Sequence, residues 1–267
     1  MKEEQNPQKK QKPTNNEQRF SGLEKFYAQN RPSYPQTFME YLFSNVGMSE
    51  NSVIADIGSG TGILTKQLLD MRCKEVFAVE PNADMRNVAE NNLKGYVPKF
   101  QSIAASAEAT ELPSHSIDYV TVAQAFHWFD RELFKKECKR ILKVNGGVVL
   151  AWNIPDDEAE MTRKHDMINR QHCPTYARNA SRLKVKDYEN NLADFFTGQF
   201  EIKEFRNDLV FDKEGFIGRS RSSSYALKET DKGYEAYIAA LTELFYEFSQ
   251  KRLLHLPNKT RSFLGVV

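Results

Sequence analysis

Residues 53–62 read Val-Ile-Ala-Asp-Ile-Gly-Ser-Gly-Thr-Gly, and residues 77–80 follow as Phe-Ala-Val-Glu. The apolar residues before Gly58 predict a buried strand, the glycines predict a tight turn into a helix, and Val76 to Val79 predict a second strand. Glu80 ends that strand eighteen residues past Gly62, where an acid is suited to gripping a ribose diol. Because glycines also let backbone N–H groups approach a ligand, the pattern predicts a nucleoside pocket.

The spacing of the turn narrows the choice of nucleoside. The glycines are spaced G-x-G-x-G, whereas a dinucleotide fingerprint reads G-x-G-x-x-G and faces a pyrophosphate. Asp56 precedes the first glycine by two residues, and its carboxylate would repel a phosphate but attract an ammonium group. The turn therefore favours S-adenosylmethionine over a nicotinamide cofactor. A glycine turn that serves only packing stays open as an alternative.

Short apolar strands alternate with helical stretches along the first part of the chain. Strands are predicted at 53–57, 76–79, 100–104, 117–122 and 147–152, and helices at 20–27, 36–46, 63–69, 82–93 and 131–142. This alternation predicts a parallel sheet covered by helices on both faces. Ligands of such sheets bind beyond the carboxyl ends of the strands, where Asp56, Glu80, Ser106 and Gln124 fall.

Five motifs occur in order: D-I-G-S-G-T-G (56–62), V-E-P-N (79–82), A-S-A-E-A-T-E-L-P (105–113), A-F-H-W-F (125–129) and R-I-L-K-V-N-G-G (140–147). Together they resemble the class I S-adenosylmethionine-dependent methyltransferases. Residues 27–35 and 123–129 resemble the small-molecule branch that includes the trans-aconitate-type methyltransferases. The resemblance implies a Rossmann-like, doubly wound α/β fold, with a mostly parallel seven-stranded sheet and an antiparallel last strand. It also implies S-adenosyl-L-methionine as cofactor and S-adenosyl-L-homocysteine as product.

Two carboxylates lead the candidate cofactor residues. We expect Asp56 to hold the amino end of the cofactor and Glu80 to accept both ribose hydroxyls. The alternatives are that Asp56 caps the following helix and that Glu80 is a solvated strand end. Ser106 stands where related enzymes often carry an aspartate for the adenine amino group. The cofactor candidates are Tyr27, Arg31, Tyr34, Asp56, Gly58, Ser59, Gly60, Thr61, Gly62, Glu80, Pro81, Asn82, Met85, Ser106, Ala107, Glu108, Gln124 and Ala125.

His127 is the candidate catalytic residue, as a general base after the fourth predicted strand. The alternative, a structural or positioning histidine, is favoured because methyl transfer to a carboxylate needs no base. The acceptor candidates are Trp128, Trp152, Arg219, Arg221, Ser223 and Tyr225. The last four lie in a run that resembles a serine-rich segment near the acceptor pocket of the small-molecule branch; an ordinary solvated loop or helix start is the alternative.

Domain organisation follows from composition. Residues 1–19 are almost entirely polar and predict a disordered tail, whereas 20–267 predict one methyltransferase domain. Within it, 20–46 form an N-terminal flap and 153–195 an inserted helical lid. A strand at 200–211, a helix at 234–250 and a closing strand at 259–267 follow.

Composition also limits the classes of partner that we expect for this chain. The 267 residues carry a net charge of +1, which gives no basis for binding nucleic acid. No apolar stretch suits a membrane helix or a signal peptide. We expect the three widely spaced cysteines to be free thiols that bind no metal. Together these features predict a cytoplasmic protein. We expect a small-molecule methyl acceptor and either a monomer or a homodimer. A non-catalytic S-adenosylmethionine-binding protein and a methyltransferase for macromolecules stay open.

Overall fold

The computed structural model of the chain describes residues 32–176, 192–223 and 225–267. The predicted tail, the first flap helix at 20–27 and part of the predicted lid lie outside these residues. The described strands are β1 (Val53–Ile57), β2 (Glu75–Val79), β3 (Phe100–Ile103), β4 (Ile117–Ala123), β5 (Leu142–Pro155), β6 (Glu201–Arg206), β7 (Leu209–Phe211), β8 (Leu254–Leu256) and β9 (Asn258–Gly265). The longer helices are α1 (Gln36–Ser44), α2 (Ile63–Asp70), α3 (Ala83–Leu93), α4 (Arg131–Ile141), α5 (Glu160–His172), α6 (Lys213–Arg221) and α7 (Tyr234–Phe248).

A seven-stranded sheet forms the centre of the fold, in the order β3-β2-β1-β4-β5-β9-β6. Strands β1 to β5 pair in parallel, and β9 is antiparallel to both of its neighbours, β5 and β6. This confirms the predicted Rossmann-like fold class with its antiparallel last strand. The order reverses direction at β1 and β4, which places a crevice at the carboxyl ends of these two strands.

The buried side chains form two clusters, one on each face of the sheet. Ala55 and Ile57 of β1 face a cluster with Phe134 and Ile141 of α4. Ile54, which precedes Ala55, faces a second cluster that includes residues of α1 and α2. Since successive side chains of a strand point to opposite faces, Asp56 lies on the same face as Ile54, towards α2.

A smaller module follows β5 in the chain. Helices α5, α6 and α7 pack with the two-stranded sheet of β7 and β8 around a third buried cluster, in which Phe216, Tyr237 and Leu241 are fully buried. Within the described ranges, no helix is long and apolar enough to cross a membrane.

The single strand predicted at 200–211 is wrong. Its two halves belong to different sheets, because β6 pairs with β9 whereas β7 pairs with β8. The break falls at Asn207 and Asp208. The Asn207 N–H donates to the Asn258 carbonyl, and the Asp208 carboxylate accepts from the Arg206 guanidinium. Arg206, Asn207 and Asp208 are three consecutive polar residues, and the Asn-Asp pair is a turn signal that the prediction of one strand passed over.

Candidate functional site

A cavity of about 610 Å³ opens at the carboxyl ends of β1 to β5. Its volume falls within the roughly 300–1,000 Å³ typical of small-molecule sites. The described residues that line it are Pro32, Tyr34, Asp56, Gly58, Ser59, Gly60, Thr61, Ile63, Leu64, Glu80, Pro81, Asn82, Met85, Ser106, Ala107, Glu108, Ala109, Ala123, Gln124, Ala125, Trp128, Phe129, Asp130, Leu133 and Asn153.

The three glycines of the turn after β1 have different tasks. A Cβ at Gly58 would lie 2.6 Å from the Ala125 Cβ, and one at Gly62 would lie 2.9 Å from Leu93 Cδ1, so these two glycines allow close packing. A Cβ at Gly60 would meet nothing within 4 Å, although Gly60 lines the cavity and has a φ of +57°. Gly60 is therefore the glycine that leaves space for a ligand. Gly62, one of the predicted cofactor residues, lies outside the lining.

Glu80 follows β2 directly and joins the glycine turn to the start of α3. Its Oε2 accepts from the Gly60 N–H at 3.0 Å, and its Oε1 accepts from the Asn82 N–H at 2.9 Å. The Asn82 side chain in turn caps α3 by accepting from the Met85 N–H. The carboxylate of Glu80 is thus fixed at the wall of the cavity, which suits recognition of paired hydroxyls.

Asp56 is 1% exposed, and both of its carboxylate oxygens accept hydroxyl hydrogen bonds. Thr121 of β4 donates to Oδ1 at 2.9 Å, and Thr65 of α2 donates to Oδ2 at 2.6 Å. Burial, together with the nearby charge of Glu80, raises the pKa of Asp56 to about 6 against the lowering effect of the two threonines. The Thr65 backbone, in the first turn of α2, also hydrogen-bonds to Asp56, so Asp56 supports the start of this helix although the N-cap position itself is Gly62.

The loop after β3 brings Ser106, Ala107 and Glu108 to the cavity and is held by α4. The Asp130 N–H, at the N-cap of α4, donates to Glu108 Oε1 at 2.9 Å. The buried Glu137 accepts from the Thr110 N–H and hydroxyl. Burial opposes ionisation there, but hydrogen bonds from Arg140 and Thr110 prevail and lower the pKa of Glu137. Two contacts thus hold this loop against α4. The Glu108 carboxylate binds the Asp130 N–H at the start of the helix, and Glu137 of the helix binds Thr110 of the loop.

Gln124 stands at the end of β4 with a φ of +62°, an uncommon conformation for a residue other than glycine. Its N–H continues the ladder to the Ala151 carbonyl at 2.9 Å, and its side-chain amide approaches the Asn153 carbonyl at 3.4 Å. Ala125 and Trp128 follow it on the cavity wall. The turn therefore brings Gln124, Ala125 and Trp128 to the cavity wall, while Phe126 packs in the core.

Other predicted residues lie away from the cavity. His127 is outside its lining and its ring contacts that of Trp128, with 4.7 Å between centroids. Trp152 is 5% exposed and packs edge-on against Phe126 and Phe263 in the core below the site. Trp152 is the last residue of the predicted strand 147–152, which suggested the mouth of the crevice, but β5 continues to Pro155 and the Trp152 ring packs on the α4 face of the sheet.

The Arg219 to Tyr225 run also lies outside the cavity's lining, in the smaller module. The Arg219 guanidinium stands 5.7 Å from the Phe211 ring centroid, and Arg221 pairs with Glu229. Ser223 accepts from the Ala226 N–H, and the Tyr225 ring packs on that of Tyr176. The structure thus engages these four predicted acceptor residues with the end of α6 and its neighbours. Tyr27 and Arg31 lie outside the described residues.

Several lining residues were not predicted. Asn153 near the end of β5 follows the same carboxyl-end rule that selected Glu80 and Gln124, so the sequence held a signal for it. Phe129, Asp130 and Leu133 extend the 123–129 motif into α4. The remainder are Pro32, Ile63, Leu64, Ala109 and Ala123.

The charged side chains in the described lining of the cavity are all acidic. Its described lining contains the carboxylates of Asp56, Glu80, Glu108 and Asp130 but no lysine, arginine or histidine. Such a wall favours a ligand with positive charge. Across residues 32–176, 192–223 and 225–267, no group of three or more His, Cys, Asp or Glu side chains could hold a metal ion.

Comparison with known sequences gives consistent matches. Residues 55–150 match the family described as a methyltransferase domain. An uncharacterized methyltransferase of Mycobacterium bovis is 33% identical over 202 residues, which cover 75% of this chain and 74% of the relative. An uncharacterized methyltransferase of Schizosaccharomyces pombe is 36% identical over 138 residues, or 52% of this chain. The chain spans about half the length of two fission-yeast relatives that it matches, at 53% and 52%.

Comparison with solved structures shows the same fold. A candidate type II methyltransferase from Anaeromyxobacter dehalogenans has a TM-score of 0.61 at 20% identity, covering 88% of this chain and 95% of that one. Phosphoethanolamine N-methyltransferase 2 of Haemonchus contortus has a TM-score of 0.51 at 17% identity, covering 91% of this chain and 56% of that one. The latter structure holds phosphomonomethylethanolamine and S-adenosylhomocysteine.

Proposed function

The chain belongs to the class I S-adenosylmethionine-dependent methyltransferases, and from this premise we propose that it methylates a small molecule, a carboxylate or a phenol. We place it in the branch that includes the trans-aconitate-type enzymes. The motifs at 27–35 and 123–129 support this placement, since residues 32 and 34 of the first and most of the second line the cavity.

The observation that carries the proposal is the pair of fixed carboxylates on either side of an open glycine. Glu80 is held by the Gly60 and Asn82 N–H groups, and Asp56 by two threonine hydroxyls. In the proposed complex Glu80 accepts the ribose hydroxyls, and Asp56 attracts the amino end of the cofactor. The space at Gly60 and the acidic lining fit a cofactor that carries an ammonium and a sulfonium but no phosphate.

The order of strands in the sheet suggests how the cofactor lies. Going across the sheet, the cavity meets Ser106 after β3, Glu80 after β2, Asp56 in β1, Gln124 after β4 and Asn153 in β5. We assign the adenosine half to the β3 and β2 side. The acceptor then approaches over β4 and β5, beside Gln124, Trp128 and Asn153, whose uncharged side chains do not repel a carboxylate as the acidic side chains of the cofactor wall would.

The bound cofactor supplies an activated methyl group, and S-adenosylhomocysteine is the product. The remaining task of this chain is to align the acceptor with that methyl group and to exclude water, which is worth roughly 7–11 kcal/mol in well-oriented systems. The walls near β4 and β5 are suited to this task, because the rings of Trp128, Pro32 and Tyr34 belong to residues that line the cavity. A carboxylate acceptor needs no base, which agrees with a positioning role for His127.

Calorimetry with S-adenosylmethionine, S-adenosylhomocysteine and NAD tests the proposal. We expect S-adenosylmethionine and S-adenosylhomocysteine to bind. The Asp56→Ala and Glu80→Ala variants should each bind these two ligands more weakly. A turnover screen of small carboxylic acids and phenols with S-adenosylmethionine then identifies the acceptor class. Binding of NAD alone would refute the cofactor assignment. Binding without turnover of any small acceptor, together with methylation of protein or nucleic acid, would refute the acceptor class.

A further inference from the structure

Residues 32–34, which we call the strap, are held by three side-chain amides. Each of their consecutive carbonyls accepts from a different amide: Pro32 from Asn153 at 3.3 Å, Ser33 from Asn207 at 2.9 Å and Tyr34 from Gln67 at 2.7 Å. The Tyr34 N–H also donates to Gln67 Oε1 at 2.9 Å. Gln67 therefore pairs with both backbone groups of Tyr34, as a neighbouring strand would.

The three amides come from separate parts of the fold. Gln67 belongs to α2, Asn153 to β5, and Asn207 to the link between β6 and β7. Asn207 is also joined to Asn153, because its side-chain N–H lies 3.0 Å from Asn153 Oδ1. Thr260 of β9 donates to the same Oδ1. The strap is thus fixed to both sides of the crevice at β1 and β4.

The strap belongs to no helix or strand, so its backbone polar groups rely on these amides. Pro32, Tyr34 and Asn153 line the cavity, whereas Gln67 and Asn207 lie outside its described lining. Tyr34 is 6% exposed, and its ring packs against Phe38 of α1 with 5.8 Å between centroids. Any effect of Asn207 on a ligand must therefore pass through the strap or Asn153.

We propose that Gln67 and Asn207 are positioning residues that hold the strap as the wall of the cofactor and acceptor cavity. The inference rests on the proposed function, because it assigns the strap to that same site. Neutral amides suit the role, since they fix a backbone segment without adding charge beside a cationic cofactor.

The test uses shape-conserving variants in the full chain. Gln67→Met and Asn207→Leu remove the amides, and the exposed Gln101→Met and Asn91→Leu repeat the same exchanges away from the strap. We measure the Kd for S-adenosylhomocysteine by calorimetry, the Tm, and hydrogen exchange of the Ser33 and Tyr34 amides without ligand. Gln67→Glu serves as a partial rescue, because it keeps the acceptor for the Tyr34 N–H but loses the donor to its carbonyl.

Loss of one such hydrogen bond raises the Kd of a ligand that depends on it by about three- to tenfold. We expect Gln67→Met and Asn207→Leu each to weaken S-adenosylhomocysteine by that factor, and Gln67→Met to speed exchange at Tyr34. Gln67→Glu should restore slow exchange at Tyr34 and recover part of the affinity. The two controls should leave the Kd and the exchange unchanged.

Three negative results have different meanings. If the unaltered chain binds S-adenosylhomocysteine and both strap variants bind it equally well, the positioning role is refuted and the proposed function stands. If the unaltered chain does not bind it, the proposed function is refuted, and the positioning role that rests on it is refuted too. If affinity falls only in proportion to a fall in Tm, with exchange at Ser33 and Tyr34 unchanged, the effect is global and the strap has no part in it.

Discussion

Replacing Asp56 by asparagine should stabilise the chain at neutral pH while weakening its cofactor binding. The pKa of Asp56 in the fold is about 6, against 3.8 ordinarily, because the carboxylate is buried. At about 1.4 kcal/mol for each pH unit, the ionised carboxylate costs the fold about 3 kcal/mol above pH 6. Asparagine removes this charge and can still accept from one threonine and donate to the other.

The sign of the pH dependence follows from the direction of the shift. The folded state binds the proton of Asp56 more tightly than the unfolded state, so the penalty is fully present above pH 6 and disappears as the pH falls towards 4. The stability difference between Asp56→Asn and the unaltered chain should therefore shrink by about 1.4 kcal/mol between about pH 7.5 and about pH 5.

Urea denaturation of both proteins at the two pH values measures this difference. The exposed Asp157→Asn serves as the control and should change the stability at neutral pH by no more than about 0.5 kcal/mol. Affinity for S-adenosylhomocysteine should fall about 10- to 100-fold in Asp56→Asn at neutral pH, as expected for one contact to a charged group. An Asp56→Asn protein that is less stable at neutral pH, or whose stability difference does not change with pH, would refute the reasoning.

Three further variants test the walls of the site. Glu80→Gln should weaken S-adenosylhomocysteine about 10- to 100-fold in calorimetry, since the charged acceptor is lost, whereas Glu90→Gln on the outside of α3 should bind normally. Gly60→Ala should reduce affinity more than about tenfold, because its Cβ enters the cavity at a positive φ; Gly95→Ala, with equal space and no positive φ, should not. His127→Ala should keep its S-adenosylhomocysteine Kd within about twofold, because the ring lies outside the lining, and a larger loss would assign His127 to the binding site.

Sequence reasoning located residues that stand at the end of a strand. Asp56, Glu80 and Gln124 sit at or near carboxyl ends that short apolar runs locate, so their convergence on one crevice follows from parallel pairing. Gly60 and Gly62 look equivalent in the sequence, but only packing against Leu93 of α3 shows that Gly62 serves the fold.

The strap shows why other parts could not be predicted. The amides that hold it are 33, 121 and 174 residues away in the chain, and no local pattern links a glutamine or an asparagine to a carbonyl at that separation. The basic run at 219–225 is the converse case, in which a clear local signal in the sequence suggested an anion site. Its composition is distinctive, but the partners of its arginines, Phe211 and Glu229, are fixed by the packing of the smaller module.

These observations divide the cavity into two parts with different origins. The wall over β3, β2 and β1 is built from residues at the strand ends, whose positions are set by the backbone hydrogen bonds of the sheet. The wall over β4 and β5 is completed by the strap, whose position depends on individual side-chain amides. Since a single substitution can move the second wall without disturbing the sheet, acceptor preference can change at about a three- to tenfold loss of cofactor affinity, while Asp56 and Glu80 stay in place. A pair of relatives that share Asp56 and Glu80 but differ at the positions of Gln67 and Asn207 should therefore bind S-adenosylhomocysteine through the same carboxylates and differ in the acceptors they methylate.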